Sequence, residues 1–218
     1  MNINETFISF QGEINVGRHA YFIRLGGCSL KCVYCDTDYA RSEYVDIDIK
    51  ELADKASFFS RVVITGGEPF VQREDVASLV EKLIKQNKDI IIEIETNGTI
   101  KPIGIGKYTK NVIYNVSLKL KNSGNEYDKR IVPEVVNWFN QMGANFKFVV
   151  NSEDDVDEVN LLVQNFAIKK SQVFLMPEGK TKDEQFEKME RILEFAKING
   201  YNFSPRFHVL LWSNKRGV

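Results

Sequence analysis

Cys28, Cys32 and Cys35 are the only cysteines of the chain, and they fall within eight residues as Cys-x-x-x-Cys-x-x-Cys. Thiolates are the usual protein ligands of iron–sulfur clusters. Three of them with no fourth suit a [4Fe–4S] cluster in which one iron has no protein ligand. Four cysteines would close a cluster to other molecules, whereas an open iron can bind a small molecule and pass it an electron. The same thiols fit blander chemistry. Cys-x-x-Cys can be a redox pair or half a zinc site, and a structural zinc needs four ligands. His19 and His208, the only two histidines, offer one. The odd, sparse cysteine count argues against a disulfide scaffold.

Other polar residues gather at the ends of apolar runs, and these runs are the elements that must position them. Ala20 to Leu25, Arg61 to Thr65, Asp89 to Glu95, Val112 to Ser117, Asn145 to Val150, Val173 to Met176 and Asn202 to Leu210 read as strands, with a further one near Glu5 to Phe10. Between them, Val76, Leu79, Val80, Leu83 and Ile84 recur at helical spacing. Val156, Val159, Val163 and Phe166 form a second apolar stripe, opened by Ser152 with Asp155 three residues on. Phe186, Met189, Leu193 and Ala196 form a third, with Thr181 and Glu184 placed as a capping box. A helix over Val132 to Met142 has Pro133 in its first turn and Gly143 just past its end.

Strands alternating with helices predict a parallel α/β sheet with right-handed crossovers. About six strands are too few for a closed eight-stranded barrel. Two connections, Thr96 to Asn111 and Leu118 to Arg130, look short of a full helix, so an open, partial barrel is expected. The cysteines then follow the first core strand, Gly66-Gly67-Glu68-Pro69 the second, and Glu95-Thr96-Asn97-Gly98 end the third. Ser117 and Lys119 close the fourth, and Pro177-Glu178-Gly179 the sixth. Ligands of parallel α/β folds bind at the carboxyl ends of strands, so this accumulation predicts a site at one end of the sheet. Taken singly, Gly-Gly or Asn-Gly is ordinary turn chemistry.

With 218 residues, 43% hydrophobic and 27% charged, the chain reads as one globular domain, residues 1–218. A net charge of −1 gives no global attraction to nucleic acid or to an anionic membrane. No apolar run reaches the ~20 residues of a membrane helix, and the start has no signal-peptide pattern. A reducing cytoplasm is the expected compartment.

Thr6-Phe7-Ile8-Ser9-Phe10-Gln11-Gly12-Glu13, Phe22-Ile23-Arg24-Leu25 and Gly27-Cys28 through Cys35-Asp36-Thr37 closely resemble the 7-carboxy-7-deazaguanine synthase family of radical S-adenosylmethionine (radical SAM) enzymes. Thr65-Gly66-Gly67-Glu68-Pro69, Glu95-Thr96-Asn97-Gly98-Thr99, Arg206-Phe207-His208 and Arg216-Gly217 extend the match over nearly the whole length. The resemblance implies conversion of 6-carboxy-5,6,7,8-tetrahydropterin to 7-carboxy-7-deazaguanine with loss of ammonia, on the way to queuosine and other deazapurines. A SAM-derived radical does the chemistry, so no side chain is assigned as catalytic. It also implies magnesium, a homodimer, and an electron donor such as flavodoxin or ferredoxin.

The resemblance places the cluster on Cys28, Cys32 and Cys35, shielded by apolar neighbours such as Leu30 and Val33. It lays SAM along Tyr34, Cys35 and Asp36, against Gly67 and Glu68, with Ser117, Leu118, Lys119 and the loop Met176, Pro177, Glu178, Gly179 around it. Gly66-Gly67 would let backbone approach its methionine part closely, and Glu68 would accept from its ammonium. Thr37 would hold magnesium, although by residue type alone it reads as a helix cap. Phe10, Gln11, Gly12, Arg24, Thr65 and a carboxylate on Val218 would hold the pterin, with Arg24 on its carboxylate. Glu95 and Asn97 fit either a cavity wall or a strand cap, and His208 fits a structural role.

The chain departs from the family pattern at Ile14 and Leu118, where glycine and proline are usual. Two other functions fit parts of the sequence. An activase of a glycyl-radical protein would share the cluster but not need the Gln-Gly-Glu element. A non-catalytic zinc or nucleic-acid module is opposed by the balanced charge and the lack of a second cysteine pair.

Overall fold

Apolar β-rich runs pair into one nine-stranded sheet in the computed structural model, which describes residues 1–218. The strands are β1 (Asn2–Phe10), β2 (His19–Leu25), β3 (Val45–Asp46), β4 (Arg61–Gly66), β5 (Ile91–Thr96), β6 (Val112–Val116), β7 (Asn145–Val150), β8 (Val173–Pro177) and β9 (Asn202–Phe203). Their spatial order is β3-β1-β2-β4-β5-β6-β7-β8-β9. All pairings from β2 to β9 are parallel; β1 is antiparallel to both β2 and β3. The parallel set therefore has seven strands, and two antiparallel ones extend its first edge.

The helices are α1 (Ile49–Ala56), α2 (Arg73–Gln86), α3 (Tyr127–Arg130), α4 (Pro133–Gln141), α5 (Glu153–Asn165), α6 (Lys182–Asn199) and α7 (Phe207–Trp212). The expected capping box of Thr181 with Glu184 opens α6, and Ser152 with Asp155 forms another at the start of α5. Pro133 sits in the first turn of α4, and Gly143 adopts φ 72° just beyond it. Helix α1 is additional to the expected set; Asp48 caps it by accepting from the amides of Lys50 and Glu51. An apolar cluster of 40 buried residues runs from Ile3 on β1 to Ala196 on α6. No helix is long and apolar enough to cross a membrane.

One expected strand is corrected. The run Asn202 to Leu210 splits into the two-residue β9 and helix α7. Pro205 between them has no N–H to give to a ladder, and Val209 and Leu210 return their amides to the Arg206 carbonyl as a helix begins. This switch swings the chain back across the open end of the sheet. The Phe207 amide donates to the Gly12 carbonyl at 2.7 Å, joining the last crossover to the loop after β1. Side chains from β1, β2, β4, β5, β7 and β8 line one cavity, which requires the sheet to curl. It is thus a partial barrel whose gap is spanned by loops rather than by strand pairing.

Glu68 is what fixes the carboxyl ends of β4 and β5 to each other. Its carboxylate is fully buried and accepts from the Phe70 amide (3.0 Å), the Thr96 hydroxyl (2.8 Å) and the Asn97 amide (2.6 Å). Burial raises its pKa, opposed by those donors. Removing the carboxylate would orphan all three. Glu68→Ala is expected to lower stability by roughly 2–4 kcal/mol, read from urea unfolding midpoints, with Glu68→Gln recovering part of the loss; an unchanged midpoint in the Ala variant would refute this clamp.

Candidate active site

The cavity, about 240 Å³, opens at the carboxyl ends of the parallel strands, the end that the sequence pattern predicts. Cys28, Cys32 and Cys35 all line it as free, partly exposed thiols. Their loop follows β2 and lies on the Gly66-Gly67 turn. The Glu68 amide donates to the Gly27 carbonyl at 2.9 Å. A Cβ on Gly67 would fall inside van der Waals contact of the Gly27 carbonyl oxygen and 2.8 Å from Cys28 Cβ. The missing Cβ therefore makes room for the cysteine loop itself, where the close approach was expected toward a ligand.

Asn97 ties the same loop to the end of β5. Its Nδ2 donates to Ser29 Oγ at 3.0 Å, while its Oδ1 accepts from the amide and hydroxyl of Thr99. Asn125 Nδ2 stands 3.4 Å from Cys32 Sγ, a hydrogen bond of the kind that tunes a cluster's sulfur ligands. A cluster takes one thiolate per iron and asks only that they face a shared space, so the residues present fit it. Leu30 is buried in the wall as expected, but Val33 is 74% exposed and points outward.

Of the residues expected along SAM, Tyr34, Asp36, Gly67, Ser117, Lys119, Met176, Glu178 and Gly179 line the cavity. Lys119 Nζ is held 2.8 Å from Ser117 Oγ. Three others do not. Glu68 is the buried clamp described above. Leu118 is fully buried in the apolar core, because strand-like alternation turns its side chain away from Ser117 and Lys119. Pro177 is buried, and its carbonyl accepts from Gln185 Nε2.

The residues expected around the pterin, Phe10, Gln11, Gly12, Arg24, Thr65 and Val218, share the same cavity. Arg24 is engaged through Nε by Glu5 at 2.8 Å and lies near the Phe7 ring. Thr37 precedes a short 3-10 turn (Asp38–Arg41) but makes no side-chain cap. Its hydroxyl has only the Cys35 thiol nearby, at 3.9 Å, so it is free for another partner. Gln11 is more committed than expected: Nε2 donates to Glu93 and Glu95, each at 3.2 Å, and Oε1 accepts from the Gly12 amide.

Beneath these groups lies a charged floor that the motif reading overlooks. Glu93, fully buried, pairs with Arg61 and accepts from Asn15 and Asn115. Lys147, 6% exposed in its side chain, pairs with Glu13 and reaches Glu95 at 3.1 Å. Arg206 pairs with Asp36. The signal for this floor is present in the strands: Glu93 and Glu95 alternate with isoleucines, and Lys147 sits between two phenylalanines. In a strand, alternate residues share a face, so charges at those places must face the barrel interior.

Burial would raise the carboxyls of Asp36 and Glu13, yet Arg206 holds the first, and Lys147 with Arg206 the second, well below the usual range. Burial brings the His208 imidazole down to about 4, against the pull of Glu13, so it is neutral at pH 7. Its ring packs where a side chain on Gly12 would have to go.

The pattern of the radical SAM superfamily matches residues 22–138. A "7-carboxy-7-deazaguanine synthase" from Pyrobaculum aerophilum is 37% identical, over 100% of this chain and 97% of the relative. One of the same name from Hyperthermus butylicus is 35% identical, over 97% and 92%. Among solved structures, QueE from Escherichia coli superposes with a TM-score of 0.73 at 24% identity, covering 95% of this chain and 94% of that one, a likeness of fold. The curled sheet, the three-cysteine loop on the Gly66-Gly67 turn and this full-length kinship place the chain in the 7-carboxy-7-deazaguanine synthase family of the radical SAM superfamily.

Proposed function

We propose that this chain converts 6-carboxy-5,6,7,8-tetrahydropterin to 7-carboxy-7-deazaguanine, releasing ammonia, as a step toward queuosine and related deazapurines. The observation that carries the reading is a single cavity lined both by three cluster-competent thiols and by Gln11, Arg24 and Thr65. When bound and reduced, a [4Fe–4S] cluster with SAM supplies a carbon-centred radical able to take a hydrogen atom from the substrate.

The chain's residues supply holding and orientation. Cys28, Cys32 and Cys35 are the cluster ligands. Tyr34, Cys35, Asp36, Gly67, Ser117, Lys119, Met176, Glu178 and Gly179 form the SAM wall. Arg24, with only its Nε engaged by the protein, pairs with the substrate carboxylate. Thr37, its hydroxyl unused as a cap, holds magnesium beside that carboxylate, a hard cation that keeps several waters. Phe10, Gln11, Gly12, Thr65 and Val218 surround the pterin ring, and neutral His208 fills the wall behind Gly12. Homodimerisation and an electron donor of the flavodoxin or ferredoxin type belong to the same reading.

Anaerobic incubation of the iron-loaded protein with dithionite, SAM, magnesium and the carboxypterin should yield the deazaguanine by mass spectrometry. Release of 5′-deoxyadenosine only in the presence of a glycyl-radical protein would instead select an activase. Arg24→Ala should weaken carboxypterin binding by roughly 1.5–3 kcal/mol and leave SAM affinity measured without pterin nearly unchanged; the reverse pattern would move Arg24 to the SAM side. Thr37→Ala should retain the cluster and lose most of the magnesium stimulation, and full stimulation in that variant would remove Thr37 from the metal site.

His208 generates a pH prediction. Unfolded, it titrates near 6.5; folded, near 4. As pH falls, the unfolded chain takes the proton first, so the stability His208 contributes is complete above pH 6.5 and lost toward pH 4. Relative to His208→Gln, wild type should lose roughly 2–3 kcal/mol between pH 7 and 4, measured by urea unfolding at each pH. Parallel stability profiles for the two proteins would show that the imidazole titrates normally when folded.

A further inference from the structure

Arg206, at the switch from β9 to α7, joins three loops that carry the two halves of the site. Its Nη1 donates to the Gly179 carbonyl at 2.6 Å, in the loop after β8. Its Nη2 pairs with Asp36, the residue after Cys35. Its Nε faces Glu13 Oε1 at 3.8 Å, in the loop after β1. The residue is 92% buried by the complement of its 8% exposure, and Nε has no hydrogen-bond partner. The next amide, that of Phe207, holds the Gly12 carbonyl, so two consecutive residues grip the Gln-Gly-Glu segment.

A buried donor without an acceptor is uncommon in a folded protein, and Glu13 Oε1, at 3.8 Å, stands about 0.6 Å beyond hydrogen-bond range. Closing that gap brings Glu13 Oε1, at the end of the Gln11–Glu13 segment, onto Nε. The guanidinium is planar and rigid, so the loop would close onto a plate already fixed to Asp36 and Gly179. We propose that Arg206 is a positioning residue that couples the substrate half of the site to the SAM half, with its Nε–Glu13 hydrogen bond closing when both are filled. Each ligand then favours the loop arrangement that the other needs, and such coupling is reciprocal.

This rests on the reading of the site given above, and equilibrium binding separates the two. SAM affinity is measured on oxidised, cluster-loaded protein without reductant, so nothing turns over, with and without the carboxypterin and magnesium. In wild type the pterin should tighten SAM binding by at least about fivefold. Arg206→Lys keeps the charge but loses the planar fork, and Glu13→Gln removes the acceptor's charge. Each should cut the tightening factor to less than half of the wild-type value, with iron content and circular dichroism unchanged. Should Arg206→Lys fail to fold, Glu13→Gln decides. A wild-type factor below about twofold, or a folded variant that keeps half or more of the wild-type factor, would overturn the coupling role. If wild type binds no carboxypterin at all, the proposed substrate is wrong and the failure lies there.

Discussion

The open end of this protein depends on one backbone contact, the seating of the cysteine loop on the turn after β4. The Glu68 amide holds the Gly27 carbonyl at 2.9 Å, and no side chain fits at Gly67 between them. That contact sets where Cys28 enters the cavity. Glu68 then turns its buried carboxylate the other way and fixes the end of β5, from which Asn97 reaches back to Ser29 on the same loop. The thiols are thus fixed to the sheet through short polar links on both sides. Rigid support of this kind holds a functional group to the tolerance that chemistry needs.

The second half of the site rests on electrostatics. Five carboxylates, Glu13, Asp36, Glu68, Glu93 and Glu95, are wholly or largely buried around the cavity. Removing charges from water is costly unless each is paired and hydrogen-bonded. Arg61, Lys147 and Arg206 pair with four of them, and Glu68 is held by amide and hydroxyl donors alone. Each pair crosses between different strands or loops, so the floor binds the rim of an incompletely closed barrel. Where strand pairing stops at β9, Arg206 and Phe207 take over and connect to the loop after β1.

Much of this was legible in the sequence, for identifiable reasons. Caps such as Ser152 with Asp155 are local, and strand-end motifs such as Gly66-Gly67 fall where a parallel sheet must place its ligands. Helix α7 was not legible from its apolar run, because Val209 and Leu210 suit either a strand or a helix; Pro205 was the available clue. The role of Glu68 was not legible either, since its partners Thr96 and Asn97 lie at and just past the end of the next strand. Leu118 and Pro177 stand in motifs that follow the wall, yet Leu118 turns its side chain into the core and Pro177 is buried off the cavity. The charged floor was half legible, as alternation marks Glu93, Glu95 and Lys147 as inward-facing, but which charge meets which depends on the curl of the sheet.

The central claim is that the three-cysteine loop holds a [4Fe–4S] cluster with one iron open to SAM. Electron paramagnetic resonance of the anaerobically reconstituted, dithionite-reduced protein tests it directly. The account predicts a reduced [4Fe–4S] signal whose g-values shift when SAM is added and whose intensity is lost in Cys32→Ala. A cluster signal that SAM leaves unchanged, or one that survives that substitution, would contradict it.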